Sequence, residues 1–182
     1  GPAAGFIDGR MGLGRSEDAG QRFFDALVWA DGLPAVQRSW LESRLALVEG
    51  VGGDNRAAAD RLLGTLPAAF EAGGWPLAAC WWFDISKYER KQERLDEALA
   101  AAGMALTCAE HDGNAIQLIR SRLSVGRVLE ARGEYREAAL IFAAVEEEAA
   151  AGGRPRWRLD AIQQQAEVHL AEGARLEAAE QF

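Results

Sequence analysis

Small and hydrophobic residues recur at helical spacing between Leu123 and Ala150, and this stretch predicts two helices joined by a tight turn. The first helix runs to about Arg132, Gly133 interrupts it, and the second helix starts at Glu134. Small residues stand where two antiparallel helices would touch, and bulky residues surround them. The small positions are Gly126, Ala138 and Ala139, and the bulky positions are Leu129, Tyr135, Leu140 and Phe142. We therefore expect the stretch to fold as a helix hairpin.

The same pattern recurs along the chain at an interval of 40 residues. Three linked columns define it: a helix breaker, an alanine five residues after the breaker, and a small residue seven residues before it. The breakers are Gly53, Glu93, Gly133 and Gly173; the alanines are Ala58, Ala98, Ala138 and Ala178; the small residues are Ala46, Ser86, Gly126 and Ala166. An earlier copy is one residue out of register, with Gly14 as its breaker. The chain is thus predicted to be a series of repeated helix pairs.

These columns divide a single predicted repeat domain, residues 3–182, into units. The units are 3–33 (partial), 34–73, 74–113, 114–153 and 154–182 (partial). Ser16, Asp54 and Asn114 are candidate helix N-caps, and Pro67 is expected to bend or stop the helix that follows Asp54. Gly173 is expected to end the first helix of the last unit. Because the pattern stops within a unit, we expect the chain to be a fragment of a larger protein.

One set of residues matches the tetratricopeptide pattern of a small residue, a Gly-x-aromatic turn, an alanine and an aromatic. In order, the set is Gly126, Gly133, Tyr135, Ala138 and Phe142, and part of it recurs as Ala166, Gly173, Ala178 and Phe182. The chain therefore resembles tetratricopeptide repeat proteins. That resemblance implies an all-α, right-handed superhelical solenoid of antiparallel helix pairs, in which the first helices line a concave groove. Usual units have about 34 residues. The longer unit is similar to the helical repeats of bacterial signal-transduction ATPases and LuxR-type transcription regulators.

Composition excludes several classes of function. The net charge of −8 argues against a general nucleic-acid-binding surface, and the apolar runs are too short to span a bilayer. Cys80 and Cys108 are expected to be free core thiols in a reducing compartment, which places the protein in the cytoplasm. The sequence has no nucleotide-binding loop, HExxH or metal-spaced cluster, so we expect no catalytic residue, cofactor or metal. His111 and His169 are interpreted as capping or surface residues.

The candidate binding surface is the groove-facing side of the first helices. Lys87, Arg120 and Arg127 are expected to form a basic patch on adjacent helices, which suits a carboxylate, a peptide C-terminus or another anionic group. The alternative is an ordinary solvated helix face. The groove candidates are Phe83, Asp84, Lys87, Arg120, Leu123, Arg127, Gln163 and Gln164.

Three functional hypotheses remain open. The leading one is a non-catalytic recognition module that binds a peptide, a protein or a neighbouring domain of the same protein. The second is a small-molecule sensor arm of a bacterial transcription regulator, with a closed pocket near Phe83 and the tryptophans. The third is a dimerisation scaffold that forms a homodimer. The tryptophans in question are Trp40, Trp75, Trp81 and Trp82, which either pack in the core or line a hydrophobic site.

Overall fold

The computed structural model describes residues 12–28, 32–71 and 74–180, apart from the side chains of residues 12–17 and 176–180. Within these ranges all regular secondary structure is α-helical. The helices are α1 (Gly12–Val28), α2 (Ala35–Gly52), α3 (Asn55–Glu71), α4 (Trp75–Lys91), α5 (Leu95–Asp112), α6 (Ala115–Ala131), α7 (Tyr135–Ala151) and α8 (Pro155–Glu180). The predicted all-α class of antiparallel helix pairs is confirmed.

The chain divides into two compact units, one up to Gly73 and one from Gly74 onward. In the first unit, α2 contacts both α1 and α3. In the second unit each helix contacts the next, and α6 also contacts α4 and α8. The second unit therefore has one layer formed by α4, α6 and α8, which we call the first-helix layer, packed against α5 and α7.

The turns inside the predicted pairs share one backbone geometry. The breaker residues adopt a left-handed conformation, with φ of 97° at Gly53, 60° at Glu93 and 79° at Gly133. The residue after each breaker donates its N–H to the carbonyl five residues earlier, at 2.9 to 3.1 Å. These donors are Asp54, Arg94 and Glu134, which bond to Glu49, Glu89 and Leu129. Such bonds satisfy carbonyls at a helix C-terminus. The same helix ending therefore occurs three times, at intervals of 40 residues.

The alanine and small columns lie where paired helices touch. Ala58, Ala98 and Ala138 are completely buried, as are Ala46 and Ser86. Side chains this small allow close approach of the helices, and larger residues fill the space around them. One core cluster contains Leu129 and Phe142, whereas Leu140 lies on the outer surface and is 73% exposed.

Two of the predicted N-caps are confirmed. The Asp54 carboxylate accepts the Ala57 N–H at 3.0 Å. The Asn114 side-chain oxygen accepts the N–H groups of Ile116 and Gln117 at 3.0 and 3.2 Å. These oxygens satisfy backbone donors that a helix start would otherwise leave unpaired.

The predicted helix break at Gly14 is wrong, and of the two alternatives at Pro67, a bend or a stop, the stop is wrong. Helix α3 continues through Pro67, because the buried residues Leu66 and Ala69 on either side of it anchor the helix to the core. Helix α1 includes Gly14, and Ser16 lies within the same helix rather than at its N-cap. The part of the opening unit before Gly12 lies outside the described residues.

The predicted break at Gly173 is also wrong. Helix α8 runs without interruption from Pro155 to Glu180, so the final pair is not formed as expected. Ala166, predicted to touch a second helix, is instead exposed, since no helix of the described residues covers it. An unbroken helix keeps its backbone hydrogen bonds, and this outweighs the roughly 1 kcal/mol cost of an interior glycine. Phe182, the last residue of the matched pattern, lies outside the described residues.

Candidate functional site

Arg120 joins α6 to α4 within the first-helix layer. Its guanidinium carbon lies 4.5 Å from the centroid of the Phe83 ring. Its Nη1 is 3.9 Å from Cys80 Sγ and donates to Gln117 Oε1 at 3.2 Å. Among the described residues, no carboxylate lies within ion-pair distance of Arg120. The structure thus brings two of the predicted groove residues, Phe83 and Arg120, into direct contact and leaves a cation without an acidic partner.

Arg127 joins α6 to α8. It donates to Asp160 Oδ1 at 2.6 Å and to Gln164 Oε1 at 2.7 Å. Gln164 is nearly buried, and its amide donates to Glu167 Oε2 at 2.7 Å, while the exposed Gln163 donates to Glu167 Oε1 at 2.8 Å. The predicted residues Arg127, Gln163 and Gln164 therefore belong to one hydrogen-bonded network that spans the two helices.

Lys87 does not extend the positive charge of this surface. It pairs with Asp84 on its own helix at 2.7 Å and lies over the Tyr88 ring at 4.5 Å. Since Lys87 and Arg127 each have an acidic partner, the predicted basic patch is largely neutralised. Of the three patch residues, only Arg120 has no carboxylate within ion-pair distance among the described residues, and the same holds for Arg90, which the prediction did not include.

Leu123 does not face the groove. It is 1% exposed and packs in the core cluster with Ile119 and Phe142. Its neighbour Ser124 is also buried, and its hydroxyl lies 3.1 Å from the Ser86 hydroxyl. Phe83 and Gln163, at the equivalent repeat positions, are half-buried and exposed, so the 40-residue interval alone does not decide whether this position faces the groove.

The second unit also contains an open pocket of about 560 Å³ at the C-terminal ends of α4 and α6. Its lining comes from α4, α6, α7 and α8. The lining residues are Arg90, Arg127, Glu130, Ala131, Tyr135, Gln164, Glu167 and Ala171. The charged residues come in opposite pairs at equivalent repeat positions: Arg90 and Glu130 on α4 and α6, and Arg127 and Glu167 on α6 and α8. The pocket is therefore polar and carries both signs of charge.

Burial and like charges perturb two groups in this pocket. Burial raises the pKa of Glu130, the nearby Glu167 raises it further, and Arg90 and Arg127 oppose this rise. Burial lowers the pKa of Arg90, with Arg127 acting in the same direction and Glu130 against it. The charged forms of Glu130 and Arg90 are thus both disfavoured relative to water.

Sequence reasoning missed Arg90 and Glu130, although a signal for them was present. Each stands three residues after a predicted groove residue, Lys87 or Arg127, and so lies one helical turn further along the same face. Extending the groove assignment by one turn would have included both.

The tryptophans and cysteines divide between core and surface. Trp81 is buried, Trp82 is half-buried, and Trp75 stacks on His111 with ring centroids 4.4 Å apart. Cys108 is buried, as predicted. Cys80 is only half-buried, because it lies at the edge of the first-helix layer, where its sulfur accepts the Gln117 amide at 2.7 Å.

The described residues contain neither a metal-binding cluster nor a membrane-spanning helix. No group of three or more His, Cys, Asp or Glu side chains there could hold a metal ion. None of the helices in the same residues is both long and apolar enough to cross a membrane.

Comparison with known proteins identifies the fold. No family model matches the sequence, and no curated protein matches it. The chain is similar to a crystal structure of a Podosopora anserina kinesin light chain whose TPR-like repeats are nearly identical to one another. The TM-score is 0.73 at 16% identity, and the match covers 94% of this chain and 87% of that chain. A variant of those repeats gives a TM-score of 0.75 at 16% identity, covering 94% and 86%. The chain therefore has the fold of TPR-like repeats.

Proposed function

We propose that this domain is a non-catalytic recognition module that binds a peptide or protein partner on the first-helix layer of its second unit. The observation that carries the proposal is the contact between Arg120 and Phe83. It places a half-buried apolar ring beside a half-buried cation that has no acidic partner among the described residues. Binding surfaces of proteins are enriched in aromatic residues and arginine, because one side chain then supplies both apolar contact and directional donors.

Two further features support the same face. Arg127 is held in place by Asp160 and Gln164, so its guanidinium is fixed before any ligand arrives. Gln163 and Lys87 remain partly exposed next to these fixed groups. A preorganised polar surface loses less side-chain entropy on binding than a mobile one, which favours recognition of a partner.

The test is selection of peptides from a displayed random library. The library is panned against the intact chain and against the double variant Arg120→Glu/Arg127→Glu. A matched control carries Arg56→Glu/Arg136→Glu, which makes the same change in net charge at two exposed arginines of α3 and α7, helices that are not part of the first-helix layer. Circular dichroism checks that all three proteins keep their helicity.

We expect peptides that enrich on the intact chain and on the control but not on the Arg120/Arg127 variant. Equal enrichment on that variant, with helicity intact, would show that the first-helix layer is not the binding face. The absence of any enrichment on the intact chain would contradict peptide recognition altogether.

A second candidate function is that of a small-molecule sensor, and the pocket at Arg90 favours it. Its volume of about 560 Å³ lies within the range of roughly 300–1,000 Å³ of small-molecule sites, although its lining is more polar than most. A sensor predicts a rise in melting temperature with a metabolite and none with peptides.

A further inference from the structure

The pocket of the second unit contains two charged groups that the protein itself leaves without direct partners. Among the described residues, neither the Arg90 guanidinium nor the Glu130 carboxylate has a hydrogen bond or an ion pair. Both side chains are half-buried, so water reaches them only in part. A half-buried charge without a partner costs stability, and such groups in a pocket are candidates for ligand binding.

Three other polar side chains that line the pocket, those of Arg127, Gln164 and Glu167, already form hydrogen bonds. Arg127 is bound by Asp160 and Gln164, and both oxygens of Glu167 accept amide hydrogens from Gln163 and Gln164. Arg127 favours the charged form of Glu130 only without direct contact, because its guanidinium is bound to Asp160 and Gln164. The pocket therefore presents one cation and one anion on adjacent helices, which attract each other but form no ion pair among the described residues.

We infer that this pocket binds a ligand that carries a carboxylate and an ammonium or guanidinium group close together, with the carboxylate on Arg90 and the cation on Glu130. Such a ligand neutralises both half-buried charges at once. A purely anionic ligand would pair with Arg90 but be repelled by Glu130, and a purely cationic ligand would do the opposite. This inference rests on the proposed function, because it names the chemistry of the bound partner. An acidic and a basic side chain of a peptide supply these groups, and so do the two termini of a free amino acid.

Three probes separate the sources, each titrated into the intact chain and followed through the arginine side-chain signals in nuclear magnetic resonance spectra. The first is an acetylated and amidated tetrapeptide with a central glutamate and lysine. The second is its neutral twin, with glutamine at both central positions. The third is free glutamine, whose only charges are its own ammonium and carboxylate groups. The variants are Arg90→Gln, Glu130→Gln and, as a control outside the pocket, Arg136→Gln.

We expect the charged peptide, free glutamine or both to shift the Arg90 signal saturably, and the neutral peptide not to do so. Arg90→Gln and Glu130→Gln should each weaken binding by about tenfold or more, the usual effect of losing a hydrogen bond to a charged group, and are then followed through the Arg127 signal. Arg136→Gln should bind as the intact chain does. Saturation by the charged peptide alone identifies a peptide segment as the source, and saturation by glutamine alone identifies a free amino acid.

Three results would overturn the inference: equal binding of the neutral peptide, unchanged binding in Arg90→Gln, or no saturable shift with any probe. These results are distinguishable from failure of the proposed function. Selected peptides that depend on Arg120 but not on Arg90 or Glu130 would leave peptide recognition standing and remove the pocket from it. Binding of glutamine without any selected peptide would leave the ligand chemistry of the pocket standing and remove peptide recognition.

Discussion

The ring of Phe142 lies directly over Gly126, so close that a β-carbon at Gly126 would be 2.5 Å from Cε1 and 2.8 Å from Cζ of the ring. Phe142 is completely buried and cannot swing away without leaving a cavity. The small residue and the aromatic residue of the repeat pattern therefore pack directly against each other, between α6 and α7.

Substituting Gly126→Ala should destabilise the protein. Overpacking of a core costs about 1–3 kcal/mol, and a contact of this closeness to a buried ring belongs at the upper end. Alanine recovers about 1 kcal/mol through helix propensity, so we expect a net loss of about 2 kcal/mol in urea-induced unfolding.

A matched control for this substitution is Gly103→Ala in α5. A β-carbon there meets no atom within 4 Å, so only the gain in helix propensity remains. We expect this variant to be stabilised by about 0.5–1 kcal/mol. If both alanine variants were stabilised, the Phe142 contact would not be what requires glycine at position 126.

The turn at Glu93 holds a non-glycine residue in a left-handed conformation, with φ of 60°. The Glu93 side chain is exposed and has no hydrogen bond or ion pair among the described residues, so replacing it removes no such interaction. We expect Glu93→Gly to raise the free energy of unfolding by about 1 kcal/mol, because glycine adopts this conformation without strain. Thermal unfolding followed by circular dichroism measures the change.

The comparison for Glu93→Gly is a substitution of the opposite kind one repeat later, in which a glycine is replaced by a residue with a side chain. Gly133 has φ of 79°, and Gly133→Ala imposes on that turn the strain that Glu93 bears. We expect this variant to lose about 1 kcal/mol. Stability changes of the same sign in the two variants would show that the left-handed conformation is not what sets them.

The repeat could be predicted from the sequence because its signals are local. A breaker such as Gly133 and a buried alanine such as Ala138 report on backbone conformation and close packing, and both depend on residue type at a fixed spacing. Gly173 carries the same signal, but the helix end that it predicts is wrong, because α8 continues through it. Whether a glycine ends a helix also depends on whether a second helix is there to pack on, which a local pattern does not contain.

The charges of the candidate surface were harder to predict than its position. The phase of the helices correctly brought Arg120 next to Phe83. It did not foresee that Asp84 would pair with Lys87, or Asp160 with Arg127, because such pairs depend on side-chain rotamers and on the neighbouring helix. Sequence spacing therefore predicted that Arg120 and Phe83 lie together, and only the structure gave the ion pairs beside them.

Ser86 and Ser124 form a buried pair that links α4 to α6, with their hydroxyl oxygens 3.1 Å apart. Ser86→Ala or Ser124→Ala alone leaves one buried hydroxyl without this partner and should cost about 1–2 kcal/mol. The double variant removes both hydroxyls and should be less destabilised than the sum of the two single variants. A double-mutant cycle from urea unfolding measures the coupling, and additive effects would mean that the two hydroxyls do not stabilise each other.

Glu130 should make the stability of the protein depend on pH in a direction opposite to that of most carboxylates. Its pKa is raised in the folded state by burial and by Glu167, whereas in the unfolded chain it takes the ordinary value of about 4.3. Between these two pKa values the folded state retains the proton and the unfolded state releases it. The contribution of Glu130 to stability therefore falls as pH rises through this window and is restored as pH falls below it.

Glu130→Gln mimics the protonated side chain and should remove this contribution. We expect the variant to be more stable than the intact chain at about pH 7, and this difference to shrink towards about pH 4, where the intact chain is also protonated. Urea unfolding at the two pH values measures it. Glu147→Gln, at an exposed position of α7, is the matched control and should show no comparable change between them. A stabilisation by Glu130→Gln that was the same at both pH values would mean that its cause is not the charge of Glu130.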